Sequence, residues 1–176
     1  NNYGQQVNAE VASNWGGNQN LTGPFLIIPY VENVTEKVDG KILSTEEKRQ
    51  LLVNPQELRI SGDISTDRKY RSLYEVVLYS GRFALSGNFR IPPIEEMELK
   101  PENLRLQEAF IVFLIGDAKG VQRADRIKVN GRAYDFKPSP RNLSVANIGL
   151  GTPAGAEPNE ISQTDGMHAL VPLRDV

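Results

Sequence analysis

His168 is the one histidine of the chain, and it follows Gly166 and Met167 at the head of a strand-like segment, Ala169 to Leu173. Imidazole is the side chain best suited to moving protons near neutrality. A hydrolytic triad would also need a serine on a sharp strand-to-helix elbow, and no Gly-x-Ser-x-Gly occurs. One histidine and no cysteine fall short of the nitrogen and sulfur ligands of an ordinary zinc site. His168 therefore reads as a strand-edge residue making a local hydrogen bond. Asp117, preceded by Gly116, reads as a turn-shaping residue, because glycine-flanked polar side chains commonly serve that purpose.

The other chemistry-bearing clusters are weaker. Glu95, Glu96 and Glu98 offer hard-cation ligands, but nothing resembles a calcium-binding loop and a solvated face accounts for the run. Gly149, Gly151 and Gly155 superficially imitate a phosphate cradle. That motif needs a following helix, which Pro153 and Pro158 oppose, so 149–160 reads as a long loop. Arg68, Lys69 and Arg71 form one basic group, and Arg123, Arg126 and Lys128 another. Both read as solvent faces, with anionic lipid headgroups as the functional counterpart. Tyr70, Tyr74 and Tyr79 lie near the first group and have the composition of a groove wall. No paired carboxylates can be assigned to glycoside cleavage from spacing, since such pairs come from separate strands.

The elements that would position these residues are mostly strands. Phe25 to Val31 is an apolar run bounded by Gly23-Pro24, with Pro29 near its end. Leu58, Ile60 and Ile64 alternate with polar neighbours. Tyr70 to Tyr79 is apolar on both faces, as a central strand would be. Phe83, Leu85, Phe89 and Ile91 oppose Arg82, Ser86, Asn88 and Arg90, the pattern of a half-buried strand, and Ser80-Gly81 reads as the hairpin turn before it. Ala109 to Ile115 is a continuous apolar strand. Asn130-Gly131, between Ile127–Val129 and Ala133–Phe136, is a strong hairpin signal. Leu143 to Ile148 completes the strand candidates. Helical spacing occurs at Tyr3, Val7, Val11 and Trp15, stopped by Gly16-Gly17. Thr45–Leu52 and Ile94–Leu99 are the remaining helical candidates. The predicted class is mostly β: an antiparallel β-sandwich-like domain with an N-terminal helix and few other helices.

Composition narrows the function. Twenty basic and 22 acidic side chains give a net charge of −2, without the basic excess of a nucleic-acid binder. The 176 residues suffice for one domain with a sizeable core. Without cysteine, neither disulfides nor thiolate-held metal centres contribute. The three Asn-x-Ser/Thr sequons are read as chance, because a cysteine-free chain fits poorly among secreted eukaryotic domains. No apolar run approaches the roughly 20 residues that span a bilayer. The abrupt start at Asn1 and the end at Val176, straight after a strand-like segment, predict a piece of a longer protein.

Several segments, in order, resemble one family. Trp15-Gly16-Gly17, Leu21, Gly23-Pro24 and Pro29-Tyr30 come first, then Arg71, Tyr74, Glu75 and Tyr79, then Ser86-Gly87-Asn88-Phe89. Ala109 to Val112 through Gly116-Asp117-Ala118-Lys119-Gly120 is the most specific stretch, followed by Val129-Asn130-Gly131 and Gly166-Met167-His168. Together they are similar to the N-terminal part of the periplasmic region of the CreD family, bacterial inner-membrane proteins associated with envelope integrity, a two-component stress regulon and altered responses to cell-wall antibiotics. The resemblance implies an anchoring helix before Asn1, further periplasmic domain after Val176, and membrane helices beyond. It divides the chain into a juxtamembrane helix, 1–17, and a β-rich periplasmic domain, 18–176. It supplies no catalytic residues.

The expected function is a non-catalytic periplasmic sensory or scaffolding domain that binds a partner protein or envelope component, with no cofactor, metal or nucleic acid. Arg71, Tyr74, Asp117 and His168 are the candidate binding residues. The competing expectation is a carbohydrate- or lipid-handling domain or enzyme, with the tyrosines and arginines gathered in a deep pocket around His168 or Asp117. A structural spacer between membrane segments is the third. By itself the fragment is expected to be a monomer, or a dimer made artificially through an edge strand left uncovered.

Overall fold

The computed structural model describes residues 20–38, 41–71, 74–97, 99–115, 121, 123–138 and 165–173. The expected N-terminal helix, the strand Leu143–Ile148 and the loop 149–160 lie outside these residues, as does Asp117. The described fold is mostly antiparallel β. Nine strands run in chain order: β1 Leu21–Val38, β2 Lys41–Val53, β3 Pro55–Arg71, β4 Tyr74–Phe89, β5 Phe110–Ile115, β6 Ile127–Val129, β7 Arg132–Tyr134, β8 Lys137–Pro138 and β9 Asp165–Leu170. They form a five-stranded sheet of order β2-β1-β5-β9-β8 and two ribbons, β3-β4 and β6-β7.

The core lies where β5 occupies the middle of the five-stranded sheet. Its unbroken apolar sequence suits a strand covered on both faces. On one face Ile111 joins Leu26, Ile28, Val53, Leu104, Ala109, Ala169 and Val171. On the other, Val112 and Leu114 join Phe25 and Ile27. Ile27, Ile28 and Val112 are wholly buried. Register explains the division. Phe25 pairs with Val112 and Leu26 with Ile111, so successive residues of both strands send their side chains to opposite faces. The register shifts between Thr22 and Phe25, at Gly23 and the cis Gly23–Pro24 peptide. Gly23 has φ +115°, and a Cβ there would lie 2.9 Å from the Val112 carbonyl oxygen. Glycine meets both demands of that position.

Several expectations about elements are corrected. β1 continues to Val38, well past Pro29. The Pro29 carbonyl accepts a hydrogen bond from the Arg105 N–H at 2.8 Å. Because N–H and C=O of one strand residue point the same way, the missing N–H also faces the 101–105 side, and the ladder to β2 is intact. Thr45–Leu52 is strand, paired residue for residue with β1 from Ile27↔Leu52 to Val34↔Thr45. Its Glu, Lys, Arg and Gln favour helix only weakly, and tertiary pairing overrides them. Ile94–Met97 is a 3₁₀ turn rather than a helix through Leu99. Ser80-Gly81 is no turn: β4 passes straight through it, and the chain reverses between the paired residues Arg71 and Tyr74. Tyr70–Tyr79 is therefore the two arms of a hairpin tip rather than one central strand. The Asn130-Gly131 hairpin is as expected, with φ of +48° and +80° at its two turn residues.

Burial ranks the two halves of the molecule by energetic weight. Replacing Ile27, which has no exposed surface, by alanine is expected to cost about 2–5 kcal/mol of unfolding free energy in urea. Ile42→Ala, at a position 74% exposed on β2, is expected to change it by less than about 0.5 kcal/mol.

Candidate functional site

β3 and β4 pair along nearly their whole length, from Pro55↔Phe89 to Arg71↔Tyr74. β4 has 16 residues, and at ~3.3 Å per residue the ribbon is roughly 50 Å long. Among the described residues, it joins the core at its base, through the half-buried Phe89 and the following Ile91. The register sorts its side chains. Leu58, Ile60, Ile64 and Tyr70 of β3, with Val77, Tyr79, Phe83 and Leu85 of β4, all project from one face. Seven of these eight, all but Leu85, are among the exposed large apolar residues. The other face carries Arg59, Asp63, Asp67, Lys69 and Arg82, with Val76 and Leu78 half-buried among them.

Glycine flattens the middle of the apolar face. Gly62 pairs with Phe83, and Ile64 pairs with Gly81. A Cβ on Gly62 would lie 2.7 Å from the Phe83 ring, and one on Gly81 would lie 2.5 Å from it. The ring thus rests on the backbone of two glycines, the arrangement by which an aromatic side chain covers glycine in a sheet. It is still 53% exposed.

Of the candidate residues named from sequence, the three that are described, Arg71, Tyr74 and His168, are not gathered into one place. Arg71 and Tyr74 form the last backbone pair at the ribbon tip. Tyr70 and Tyr79 are open to solvent, at 72% and 73% exposure, and wall no cleft. Four of the six residues in the basic groups are matched by acids: Arg68 reaches Glu75 at 3.0 Å, Lys69 reaches Asp67 at 2.8 Å, Arg123 reaches Asp125 at 2.8 Å and Arg126 reaches Asp135 at 2.7 Å. His168 lies on β9, far from the tip in chain architecture. Its backbone partners are Val112 on one side and Lys137 on the other, so it shares the face of the Phe25–Val112 row. Its ring meets Phe110 edge-on, centroids 6.0 Å apart. Burial first, and the neighbouring Lys137 ammonium second, lower its pKa. A half-buried, largely neutral imidazole at the rim of an apolar cluster is the result. Among the described residues no three His, Cys, Asp or Glu side chains converge as a metal site.

Two shallow grooves are lined by described residues. One groove is lined by Arg132, Ala133, Tyr134 and Pro172, another by Glu57, Arg59, Ser86, Gly87 and Asn88, and neither contains a sequence-named candidate. No helix among the described residues is long and apolar enough to cross a membrane.

The family model of the inner membrane protein CreD matches residues 1–172. The chain belongs to the CreD family. The Inner membrane protein CreD of Escherichia coli K12 is 26% identical over 139 residues, which covers 77% of this chain and 30% of that protein. This chain thus spans about a third of the length of the curated CreD relative. No solved structure matches it. The resemblance read from ordered motifs is the same family, and the described β-ribbon falls wholly inside the matched span.

The His168 environment sets a pH dependence. Its folded pKa lies below the ordinary value of about 6.5, so the unfolded chain binds the proton more readily. His168's contribution to stability is therefore complete above that value and falls as pH drops through it towards the folded pKa. Urea midpoints measured from pH 8 to pH 5 are expected to decline over the lower part of this range, and His168→Gln to flatten that decline.

Proposed function

We propose that this segment is a non-catalytic, periplasmic, sandwich-like β domain of a CreD-family inner-membrane protein. Its work is sensory or scaffolding: it docks a protein or envelope component for the maintenance and stress response of the cell envelope. The observation that carries this reading is the amphipathic β3–β4 ribbon. Exposed apolar residues are ordinary when scattered, but a contiguous apolar stripe on a soluble surface marks a contact site. Catalysis needs convergence of reactive groups in a shielded place, whereas the stripe is long, open and built of side chains that supply contact area rather than chemistry.

The reading separates cleanly from an enzyme acting on envelope carbohydrate or lipid. In cells whose response to a cell-wall antibiotic depends on the full-length protein, paired Ile64→Ser and Phe83→Ser substitutions are expected to abolish that response at unchanged protein level. His168→Ala is expected to leave it intact. The opposite ranking overturns the docking reading in favour of chemistry at His168.

A further inference from the structure

An isolated two-stranded ribbon is at best marginally stable in water and is ordinarily secured by a further layer on its apolar face. Here that face is exposed along β3 and β4, from Leu58 to Tyr79. We propose that its occupant is a second copy of the same ribbon, packed face to face about a two-fold axis. The proposal deepens the docking reading above and rests on it.

Three observations select a second copy. The first is charge. The only charged side chains at apolar-face register positions are Arg68 and Glu75, and they already pair with each other at 3.0 Å. Between Pro55 and Phe89 the ribbon has five basic and four acidic side chains. Such a face neither repels its own copy nor offers the basic surplus that anionic headgroups reward. The second is the backbone. A ribbon laid into lipid would carry two open strand edges into a medium without hydrogen-bond partners, while face-to-face packing leaves both edges in water. The third is area. The stripe runs from Leu58 to Tyr70, roughly 40 Å by 10 Å, and burying it on both copies removes about 800 Å² from solvent, the scale of a weak, reversible contact. Even that area is reached only if the whole stripe is used.

Full use fixes the geometry. In an isologous contact the same patch meets itself. Burying both stripes end to end requires the axis at their midpoint, at the pair Ile64↔Gly81 beside Gly62↔Phe83. That is the flattened region where the Phe83 ring lies on Gly62 and Gly81. Two such rings can then approach without a Cβ from either glycine lifting them, in the offset contact that aromatic pairs favour.

The chain contains no cysteine, so single cysteines report the interface directly. In the 176-residue chain, Ile64→Cys is expected to give a disulfide-linked dimer under mild oxidation. Ser65→Cys, one position along on the polar face, is expected to stay monomeric. Sedimentation of the unmodified chain over a micromolar series is expected to show reversible dimers, and Phe83→Ser to weaken them by about tenfold or more, as loss of a central aromatic anchor does. A monomer throughout with no cross-link from Ile64→Cys overturns the proposal. So does equal cross-linking from both positions, which would indicate edge-to-edge pairing. Association of a monomeric chain with phosphatidylglycerol vesicles through Phe83 overturns it in favour of lipid. A monomer whose ribbon substitutions still abolish the cellular response would defeat self-pairing and leave docking to another partner standing.

Discussion

The antiparallel pairing of β1 with β5 is the contact on which the rest of the fold depends. It joins two runs that are apolar at successive positions, so each residue of the seam goes to one face or the other and both faces acquire a cluster. β9 then pairs with the free edge of β5, and β2 with that of β1. The 3₁₀ turns between β4 and β5 continue the same surface: Arg105 donates to Pro29, and Leu173 donates to Leu106. Gly23 permits the register change that starts the pairing. A side chain at that position would press on the carbonyl of Val112, a residue at the middle of the seam.

What is not tied to that seam extends away from it. β1 and β2 continue beyond the core as a paired arm, with Ile42 and Leu43 exposed, and β3–β4 forms a longer one. The two arms differ in kind. The β3–β4 ribbon separates its residues by face, apolar against polar, while its glycines sit opposite bulky apolar residues: Gly87 across from Leu58, Gly62 from Phe83, Gly81 from Ile64. The molecule thus combines a small doubly covered core with a large surface sorted by face into apolar and polar sides.

Much of the core was legible in sequence because continuous apolar runs bounded by Gly and Pro are local signals. Phe25–Ile28 and Ala109–Ile115 lie in the buried region, and Asn130-Gly131 turns where its chemistry requires. The ribbon was not legible as a unit, for two physical reasons. Between the paired Arg71 and Tyr74 the sequence offers Ser72-Leu73, with none of the left-handed preference of Asn or Gly, while the tempting Ser80-Gly81 sits in mid-strand. Its stripe is also shared by two strands, so each contributes an ordinary alternation, and the contiguous face emerges only once the register is known. Asp39-Gly40, between the paired Val38 and Lys41, was an available hairpin signal that would have excluded a helix at Thr45–Leu52. The site candidates fared differently. His168 drew attention by being unique, yet its neighbours Val112 and Phe110 belong to packing. Isoleucine and phenylalanine at Ile64 and Phe83 attract no notice as chemistry, although both lie exposed on the apolar face of the arm.

The attachment of the ribbon at one end has a mechanical meaning. Held near Phe89 and free towards Arg71 and Tyr74, an arm of roughly 50 Å acts as a lever. A rotation of about 10° at its root displaces the tip by about 9 Å, more than the spacing of two neighbouring strands. A small repacking around Phe89 and Ile91 would thereby become, at the far end of the arm, a displacement on the scale of whole elements.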